Sequence, residues 1–348
     1  QVLLVSPPGE YGARLQALGF RWLPAPMERL SLNPVKELAL VRWLTQLVRR
    51  EQIDLVHGFT IKCAVYGSLA ARLSRRAVRV NAVAGMGYVF TSNDLKARLL
   101  RPVVRSLMRI ALDGERARLI LQNPDDVALF ERARLVHPAR VRLIKGSGVD
   151  CSRFAPTAPK ALAKPFRVLL AARLLWDKGL AEYVQAAKVL KAQGRDVEFL
   201  LAGEPDPGNP ASVPAATVNQ WVNEGLINWL GHVEDMPALL GSVHAAVLPS
   251  YREGLPKGLI EAAAAQLPLV ATDVPGCREV VAHEQTGLLV PGKDGAALAA
   301  AIARLQDDAP LRARLAQAAR ARALDQFDER IVINRTLGVY QELLPQLA

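Results

Sequence analysis

The hydrophobic positions of the chain follow two spacings. Segments with apolar residues three and four positions apart predict helices, including one from Leu95 to Leu112 and one from Leu180 to Gln193. Between the helical segments lie short apolar runs that are typical of buried strands, among them VLLV, DLVHGF, RLILQN, FRVLLAA, VEFLLAG and AAVLP. Strands that alternate with helices indicate a parallel sheet covered by helices. The pattern therefore predicts an α/β fold.

A change in composition divides this pattern. Prolines and small residues cluster between Ala155 and Pro165, and the strand–helix alternation starts again after them. A length of 348 residues is sufficient for two domains. We therefore expect two doubly wound, Rossmann-like domains that face each other across a cleft, over residues 1–155 and 156–328, with a last helix in residues 329–348.

Composition argues against several classes of protein. No apolar run reaches the ~20 residues that a membrane-spanning helix needs, and the sequence does not open on a signal-peptide pattern. Cys63, Cys151 and Cys277 are far apart and form no CxxC pair, which argues against a structural zinc site and fits a reducing cytosol. Asp125 and Asp126 are more typical of a helix cap than of a metal site, so no metal is predicted.

The charge is distributed unevenly. Residues 1–150 hold 24 Lys and Arg against 12 Asp and Glu, a net charge of +12, whereas the remainder has a net charge of −1. A basic domain suggests a polyanionic partner, namely nucleic acid, an anionic membrane or a lipid diphosphate. No helix-turn-helix, zinc-finger or RNA-binding motif is visible, so we expect no nucleic acid and favour the membrane and the lipid diphosphate.

Four arginines of the predicted Leu95–Leu112 helix recur at steps of three and four, which places them on one face: Arg98, Arg101, Arg105 and Arg109. One interpretation is that this face docks onto anionic lipid headgroups. The other is a solvated helix face that binds nothing, which is the usual role of a charge stripe. The sequence leaves both open.

The chemistry-bearing stretch is PSYREGLPKGLIE, from Pro249 to Glu261. It follows the apolar run AAVLP and passes through a turn rich in Gly and Pro into the helical pattern LIEAAAAQL. Ligands of open parallel sheets sit outside the carboxyl ends of the strands, and a helix N-terminus there suits a phosphate. Glu253 and Glu261 would then hydrogen-bond hydroxyl groups, one on a sugar and one on a ribose. Alternatively, Glu253 caps the helix and Glu261 is a surface residue.

The longer segment SYREGLPKGLIEAAAAQLPLVATDVPGCREVV closely resembles the nucleotide-sugar signature of the family-four retaining glycosyltransferases, which have the GT-B fold. The resemblance places Glu253 and Glu261 on the paired glutamates of that family. It implies that Glu253 and the backbone from Gly254 through Leu255 to Pro256 hold the sugar hydroxyls, and that Glu261 holds the ribose. It also implies that the last helix crosses back to the first domain.

Other strand ends complete the donor site that this resemblance implies. Arg173 and Lys178, in AARLLWDKGL, would hold the donor diphosphate, whereas their alternative role is surface ion pairing, for example with Asp177. Glu204 ends one later strand, and the next strand ends at His232 and Val233, near which the family places the nucleobase.

The acceptor side is less defined. His57 lies at the end of the predicted strand DLVHGF and is a candidate to orient the acceptor or act as a base. Many family members carry a histidine on the next strand's loop, but here that loop reads AVAGMGYVF, with Gly85 and Gly87 as candidates and no histidine. The resemblance to the retaining enzymes implies that the leaving phosphate takes the acceptor's proton. The first segment, QVLLVSPPGEYGARLQALGF, resembles the family's second strand, so we expect its first strand–helix unit to be missing.

The motifs SLNP, GSGVD, ARLLWDKG and LPSYREG resemble the bacterial branch that builds surface polysaccharides and lipid-linked oligosaccharides. This implies transfer of an N-acetylhexosamine from a UDP-sugar to a polyprenyl-diphosphate-linked acceptor, by a cytoplasmic enzyme peripheral to the plasma membrane, without metal or cofactor. Two alternatives remain. One is a nucleotide-sugar epimerase or NAD-dependent oxidoreductase, although no GxGxxG follows a strand. The other is a non-catalytic polyanion-binding protein.

Overall fold

The structure is a computed structural model that describes residues 1–28, 31, 33–83, 95–156 and 164–347, without the side chains of residues 95–101 and 347. The chain divides into two compact units. Unit 1 comprises Gln1–Leu121, Val127–Arg142 and Val339–Ala348, and unit 2 comprises Gln122–Asp126 and Leu143–Gly338. These limits differ from the predicted domain limits after residues 155 and 328. The reason is that Val149, Cys151 and Phe154 are buried in a core of unit 2.

Unit 1 contains two parallel sheets. A two-stranded sheet joins β1 (Leu3–Ser6) to β2 (Arg21–Pro24), with helix α1 (Glu10–Ala17) between them in the chain. A separate four-stranded sheet has its strands in chain order: β3 (Leu55–Phe59), β4 (Val78–Val83), β5 (Ala117–Leu121) and β6 (Val141–Leu143). The identification of β1 with the family's second strand stays a prediction.

The helices of unit 1 pack beside the four-stranded sheet. Helix α2 (Pro34–Arg50) begins after Asn33, whose side chain caps it by accepting a hydrogen bond from Val35 N at 3.0 Å. The chain then forms α3 (Ile61–Ser74), α4 (Leu95–Leu112) and α5 (Pro124–Arg132), whose first residues, up to Asp126, belong to unit 2. Helix α4 confirms the predicted bounds. Residues from α4, α5 and β5 share one buried cluster, which includes Met108, Leu112, Leu119, Leu121 and Phe130.

Unit 2 is built on one six-stranded parallel sheet. Its strands are β7 (Phe166–Ala171), β8 (Val197–Ala202), β9 (Asn228–Gly231), β10 (Ala245–Leu248), β11 (Leu269–Thr272) and β12 (Gly287–Val290). Their order across the sheet is β12-β11-β10-β7-β8-β9. The chain therefore winds to one side of β7 first and to the other side afterwards. The β7–β10 pair is the topological switch point, where open α/β sheets bind ligands.

Both faces of this sheet are buried, which explains why its strands are continuous apolar runs. Val168 and Leu170 pack into one core and Leu169 into the other, because neighbouring side chains of a strand point to opposite faces. The helices of unit 2 are α6 (Leu180–Ala192), α7 (Ala215–Asn223), α8 (Met236–Ser242), α9 (Lys257–Ala264), α10 (Cys277–Val280), α11 (Gly295–Asp307), α12 (Ala309–Gln326) and α13 (Glu329–Leu343), the last of which continues into unit 1. Helices α6 and α11 contribute to the first core, α9 to the second.

Within the described part of the chain, none of these helices has both the length and the apolar character needed to cross a membrane.

Candidate active site

A cavity of about 190 Å³ lies at the carboxyl ends of β7 and β10, at the switch point of unit 2. Arg173 and Lys178 line it from the segment after β7, and Glu253 lines it from the loop after β10. The start of α9 closes another side, with Leu255, Pro256, Lys257 and Gly258. The structure thus brings together residues that were predicted for the donor site and that lie as far apart in the sequence as Arg173 and Pro256.

Glu253 is held at the cavity wall by two donors. The Lys178 ammonium donates to Glu253 Oε1 at 2.5 Å, and the Ser250 hydroxyl donates to the same oxygen at 2.7 Å. Lys178 therefore pairs with Glu253 rather than with Asp177. Both charged groups are largely removed from solvent, so loss of either partner leaves the other charge without compensation.

Arg173 keeps most of its hydrogen-bonding capacity. Its Nη1 donates to Asp206 Oδ2 at 2.7 Å, whereas the side chain as a whole is 56% exposed. A guanidinium has five N–H donors, so several remain for an anionic ligand. The ion pair with Asp206 replaces the pairing with Asp177 that the surface interpretation suggested. Asp206 itself is largely buried.

Two glycines allow the loop that carries Glu253 to pack tightly. Gly179 has a φ of +74°, and a Cβ at this position would approach Pro249 O to 2.1 Å. Gly276 has a φ of +82°, and its Cβ would approach Glu253 O to 2.6 Å. Any other residue would meet both backbone strain and a backbone clash at these positions. The position of Glu253 thus depends on residues far from it in sequence.

Helix α9 offers its N-terminus to the cavity. The N–H groups of Leu259 and Ile260 bond back to Pro256 O, whereas the N–H groups of a helix's first residues have no intrahelical acceptor. Because Lys257 and Gly258 line the cavity, this end of the helix presents unpaired donors and positive dipole there. Together with Arg173 and Lys178, it forms a site suited to an anion.

Glu261 lies one turn further along α9 and is not part of the cavity wall. Its side chain is half-buried at 3.8 Å from the Lys257 ammonium. Burial raises the pKa of this carboxyl above 4.5, and the charges of Lys257 and Arg153 partly oppose the shift. The surface alternative for Glu261 therefore does not describe its surroundings, whereas a contact with ribose stays a prediction.

The remaining predicted donor residues lie at neighbouring strand ends. Glu204 is exposed after β8, and His232 is exposed after β9. Val233 is half-buried against the second core. They occupy the carboxyl edge of the same sheet, although they do not line the cavity. Their roles stay predictions.

His57, in β3 of unit 1, is engaged with α13. Its Nδ1 lies 2.6 Å from Tyr340 Oη, and its ring stacks on Phe59 with 4.1 Å between centroids. The Nε2 atom is buried and has no partner within the described residues. Burial lowers the pKa of His57 to about 4, so the imidazole is neutral near pH 7 and a weak base. The other acceptor candidates, Gly85 and Gly87, lie outside the described residues.

The predicted docking helix is α4. The side chains of Arg98 and Arg101 lie outside the described part of the chain, whereas Arg105 and Arg109 are exposed. Arg105 donates to the Ala133 carbonyl of the same unit. Three apolar residues of α4 are exposed as well, at positions 103, 107 and 110: Val103, Leu107 and Ile110. This surface is therefore both basic and apolar.

Sequence reasoning missed several polar partners around Glu253. Glu182, which is buried in α6, accepts from the Tyr251 hydroxyl at 2.9 and 3.1 Å through its two oxygens. Asn123, rather than Asp125 or Asp126, caps α5, because its Oδ1 accepts from Asp126 N at 2.7 Å. In the sequence, only the polar segment SYR beside Glu253 indicates that polar partners exist, and it does not identify which residues they are.

No group of three His, Cys, Asp or Glu that could hold a metal ion occurs among the described residues.

The chain matches two sequence models of transferase families. Glycosyl transferases group 1 matches residues 165–308, and Glycosyl transferase 4-like matches residues 1–123. The chain is 29% identical to the N,N'-diacetylbacillosaminyl-diphospho-undecaprenol alpha-1,3-N-acetylgalactosaminyltransferase of Campylobacter jejuni, over 99% of this chain and 92% of that protein. It is 27% identical to a UDP-Gal:alpha-D-GlcNAc-diphosphoundecaprenol alpha-1,3-galactosyltransferase of Escherichia coli, over 82% of this chain and 74% of that protein.

Solved structures agree with these matches at the level of the fold. The Anabaena protein Alr3699/HepE, solved in complex with UDP and glucose, superposes with a TM-score of 0.80 at 21% identity, over 97% of this chain and 91% of that one. A Rickettsia africae glycosyltransferase gives a TM-score of 0.77 at 19% identity, over 98% and 90%. A transferase is favoured over an epimerase or a non-catalytic protein. The chain belongs to the group 1 glycosyltransferases and has the GT-B fold, with two Rossmann-like domains.

Proposed function

We propose that this glycosyltransferase moves an N-acetylhexosamine from a UDP-sugar to a polyprenyl-diphosphate-linked saccharide, with retention of configuration. The observation that carries the proposal is the convergence of Arg173, Lys178, Glu253 and the start of α9 on one cavity at the switch point of unit 2. The names of the Campylobacter jejuni and Escherichia coli relatives support the lipid-linked acceptor, and the UDP complex of the Anabaena structure supports the nucleotide.

The cationic side of the cavity suits the donor diphosphate. Arg173 can give forked hydrogen bonds, Lys178 supplies a point charge, and the first N–H groups of α9 point at the same space. Glu253 and the backbone from Gly254 to Pro256 then hold the sugar hydroxyls, and Glu261 holds the ribose. The nucleobase lies near His232 and Val233 at the end of β9, and Glu204 at the end of β8 is a further donor-site residue.

The reaction itself needs little from the side chains beyond placement and charge. The acceptor oxygen attacks the sugar carbon on the face from which the diphosphate leaves, and the bond from that carbon to the phosphate oxygen breaks. The acceptor's proton passes to the released phosphate, which gives UDP and the extended saccharide. Arg173, Lys178 and α9 stabilise the negative charge that develops on the leaving group. We propose that these groups supply the positive charge and that no metal or cofactor is needed.

Unit 1 is proposed to face the lipid-linked acceptor at the cytoplasmic side of the plasma membrane. It contains nearly all of residues 1–150, whose net charge is +12. The exposed side chains of Arg105 and Arg109, beside exposed apolar residues of α4, support docking onto anionic lipid. The enzyme would then be peripheral to the membrane.

Calorimetric titration with UDP, GDP, ADP and their sugar derivatives tests the donor first. Selective binding of UDP and of a UDP-N-acetylhexosamine is expected. Transfer to a synthetic polyprenyl-diphosphate saccharide follows, and the anomeric configuration of the product is read by NMR. Selective binding of GDP or ADP, or a product of inverted configuration, would contradict the proposal.

A further inference from the structure

A buried polar pair outside the cavity holds the loop of Glu253 from both of its flanks. Asn123 and Asp126, which belong to unit 2, are 0% and 1% exposed. The Asn123 Nδ2 donates to the carbonyl of Gly254 at 2.7 Å and to Asp126 Oδ2 at 2.9 Å. Arg252 donates through Nη2 to Asp126 Oδ1 at 2.7 Å. The residues on either side of Glu253 are therefore bound to one short motif.

The bond to Gly254 also sets the direction of a neighbouring donor. A peptide unit is planar and trans, so its carbonyl and its N–H point in opposite directions. Because the Gly254 carbonyl points at Asn123, the N–H of Leu255 points away from it. Leu255 lines the cavity, and among the described residues no intramolecular acceptor binds its N–H. That N–H is thus available to a ligand.

Capping of α5 does not by itself explain why Asn123 is an asparagine. The cap uses only Oδ1, and Ser, Thr or Asp would cap a helix equally well. The bonds to Gly254 and Asp126 use the two N–H donors of Nδ2, whereas a Ser or Thr hydroxyl has one O–H donor and an Asp carboxylate has none. Aspartate at this position would keep the cap but would place a carboxylate against the Gly254 carbonyl and the Asp126 carboxylate.

We propose that Asn123 and Asp126 are positioning residues of the donor site. They fix Arg252 and Gly254, and thereby the Glu253 carboxylate and the Leu255 N–H, in the arrangement that binds the sugar of the donor. This inference rests on the proposed function. It adds that the sugar is recognised by a loop whose shape is set by the first turn of α5, whereas the diphosphate is bound by Arg173, Lys178 and α9.

The test compares the dissociation constants of UDP and of UDP-N-acetylgalactosamine for the full chain. Asn123→Asp is expected to raise the dissociation constant of UDP-N-acetylgalactosamine about tenfold, since an oriented hydrogen bond is lost. The dissociation constant of UDP should change by no more than about twofold. The melting temperature of this variant should fall, because the new carboxylate is buried beside the Asp126 carboxylate, so the readout is the ratio of the two dissociation constants, measured below the melting transition. Transfer to the lipid-linked acceptor should fall by about tenfold to a hundredfold, since small displacements in a site are costly.

Asn81→Ala is the matched control. Asn81 is likewise a buried asparagine, and its Nδ2 donates to Ser68 Oγ at 2.8 Å in unit 1. This variant should lower the melting temperature without changing the ratio of the two dissociation constants. An unchanged ratio in Asn123→Asp would overturn the positioning role while leaving the proposed function intact. A wild-type chain that binds neither probe would overturn both.

Discussion

The cations around the cavity of unit 2 and a group of three arginines in unit 1 have different partners. In unit 2, cations around the cavity are paired with largely buried carboxylates: Lys178 with Glu253, Arg173 with Asp206, and Arg252 with Asp126. In unit 1, Arg72, Arg79 and Arg116 donate to backbone carbonyls, and no carboxylate lies within ion-pair distance of them among the described residues. The charge around the cavity is therefore balanced locally, whereas these three arginines add to the positive surplus of residues 1–150.

Arg79 shows the cost of that surplus. It is only 5% exposed, and burial together with the charges of Arg72 and Arg116 lowers its pKa to about 10. These arginines donate to carbonyls at the C-terminal ends of α3 and α4. A cation is favourable there because the C-terminus is the negative end of the helix dipole. We therefore predict that the cations around the cavity of unit 2 hold one ligand, whereas the surplus charge of unit 1 attracts an anionic surface.

The largest effect should come from the ion pair in the cavity wall. Lys178→Ala removes a cation from the leaving group and leaves the Glu253 carboxylate with only Ser250 as donor. We expect transfer to fall by about a hundredfold to a thousandfold, as when an electrostatic stabiliser of a transition state is lost. Initial rates with a saturating UDP-sugar measure this.

Lys188→Ala is the control for that variant. Lys188 is exposed and lies 3.8 Å from Glu224 on the surface of unit 2. Its loss should leave the rate unchanged, because exposed ion pairs contribute little. Equal rates for Lys178→Ala and the wild type would remove Lys178 from the chemistry.

Some residues of the site could be predicted from the sequence, and others could not. Glu253, Leu255 and Pro256 lie in one contiguous motif, so the sequence alone placed them together, and the strand ends of Arg173 and Lys178 followed from the parallel sheet. Asp206, Glu182 and Asn123 could not be predicted as partners, because their contacts depend on how separate loops fold onto the sheet. On the acceptor side, the pattern around His57 predicted a strand end but carried no information about Tyr340, which lies in the last helix.

A smaller effect is expected from the support beneath the Glu253 loop. Tyr251→Phe removes the hydroxyl that donates to both oxygens of the buried Glu182. An unsatisfied buried carboxylate should lower the free energy of unfolding by about 1–3 kcal/mol. Urea denaturation measures this change. Tyr11→Phe, at an exposed position of α1, should leave the midpoint unaltered, and an equal midpoint for both variants would contradict the supporting role.

The field of unit 1 can be tested on vesicles that contain anionic lipid. Replacement of Arg105 and Arg109 by Gln should weaken binding roughly thirtyfold, at about 1 kcal/mol for each basic residue near the surface. Added salt should weaken vesicle binding of the wild type more than that of this variant, because the variant has fewer basic side chains whose attraction to the lipid can be screened. Arg335→Gln, at an exposed position in the unit 2 part of α13, should sediment with vesicles like the wild type. If the variant with Gln at positions 105 and 109 sediments with vesicles as much as the wild type does, α4 is not the docking surface.

The smallest effect, and the one that separates binding from stability, concerns Glu261. Its pKa is raised by burial above 4.5, so the ionised carboxylate costs stability at neutral pH, and this cost disappears as the pH falls below 4.5. Glu261→Gln should therefore raise the melting temperature slightly at pH 7 and match the wild type near pH 3. The same variant should weaken UDP binding several-fold, since a neutral amide is a poorer acceptor for the ribose hydroxyls. Calorimetry with UDP and thermal scans at both pH values measure the two effects. A higher melting temperature with an unchanged dissociation constant for UDP would refute the ribose contact. A lower melting temperature together with weaker UDP binding would show that Glu261 stabilises α9 rather than contacting the ligand.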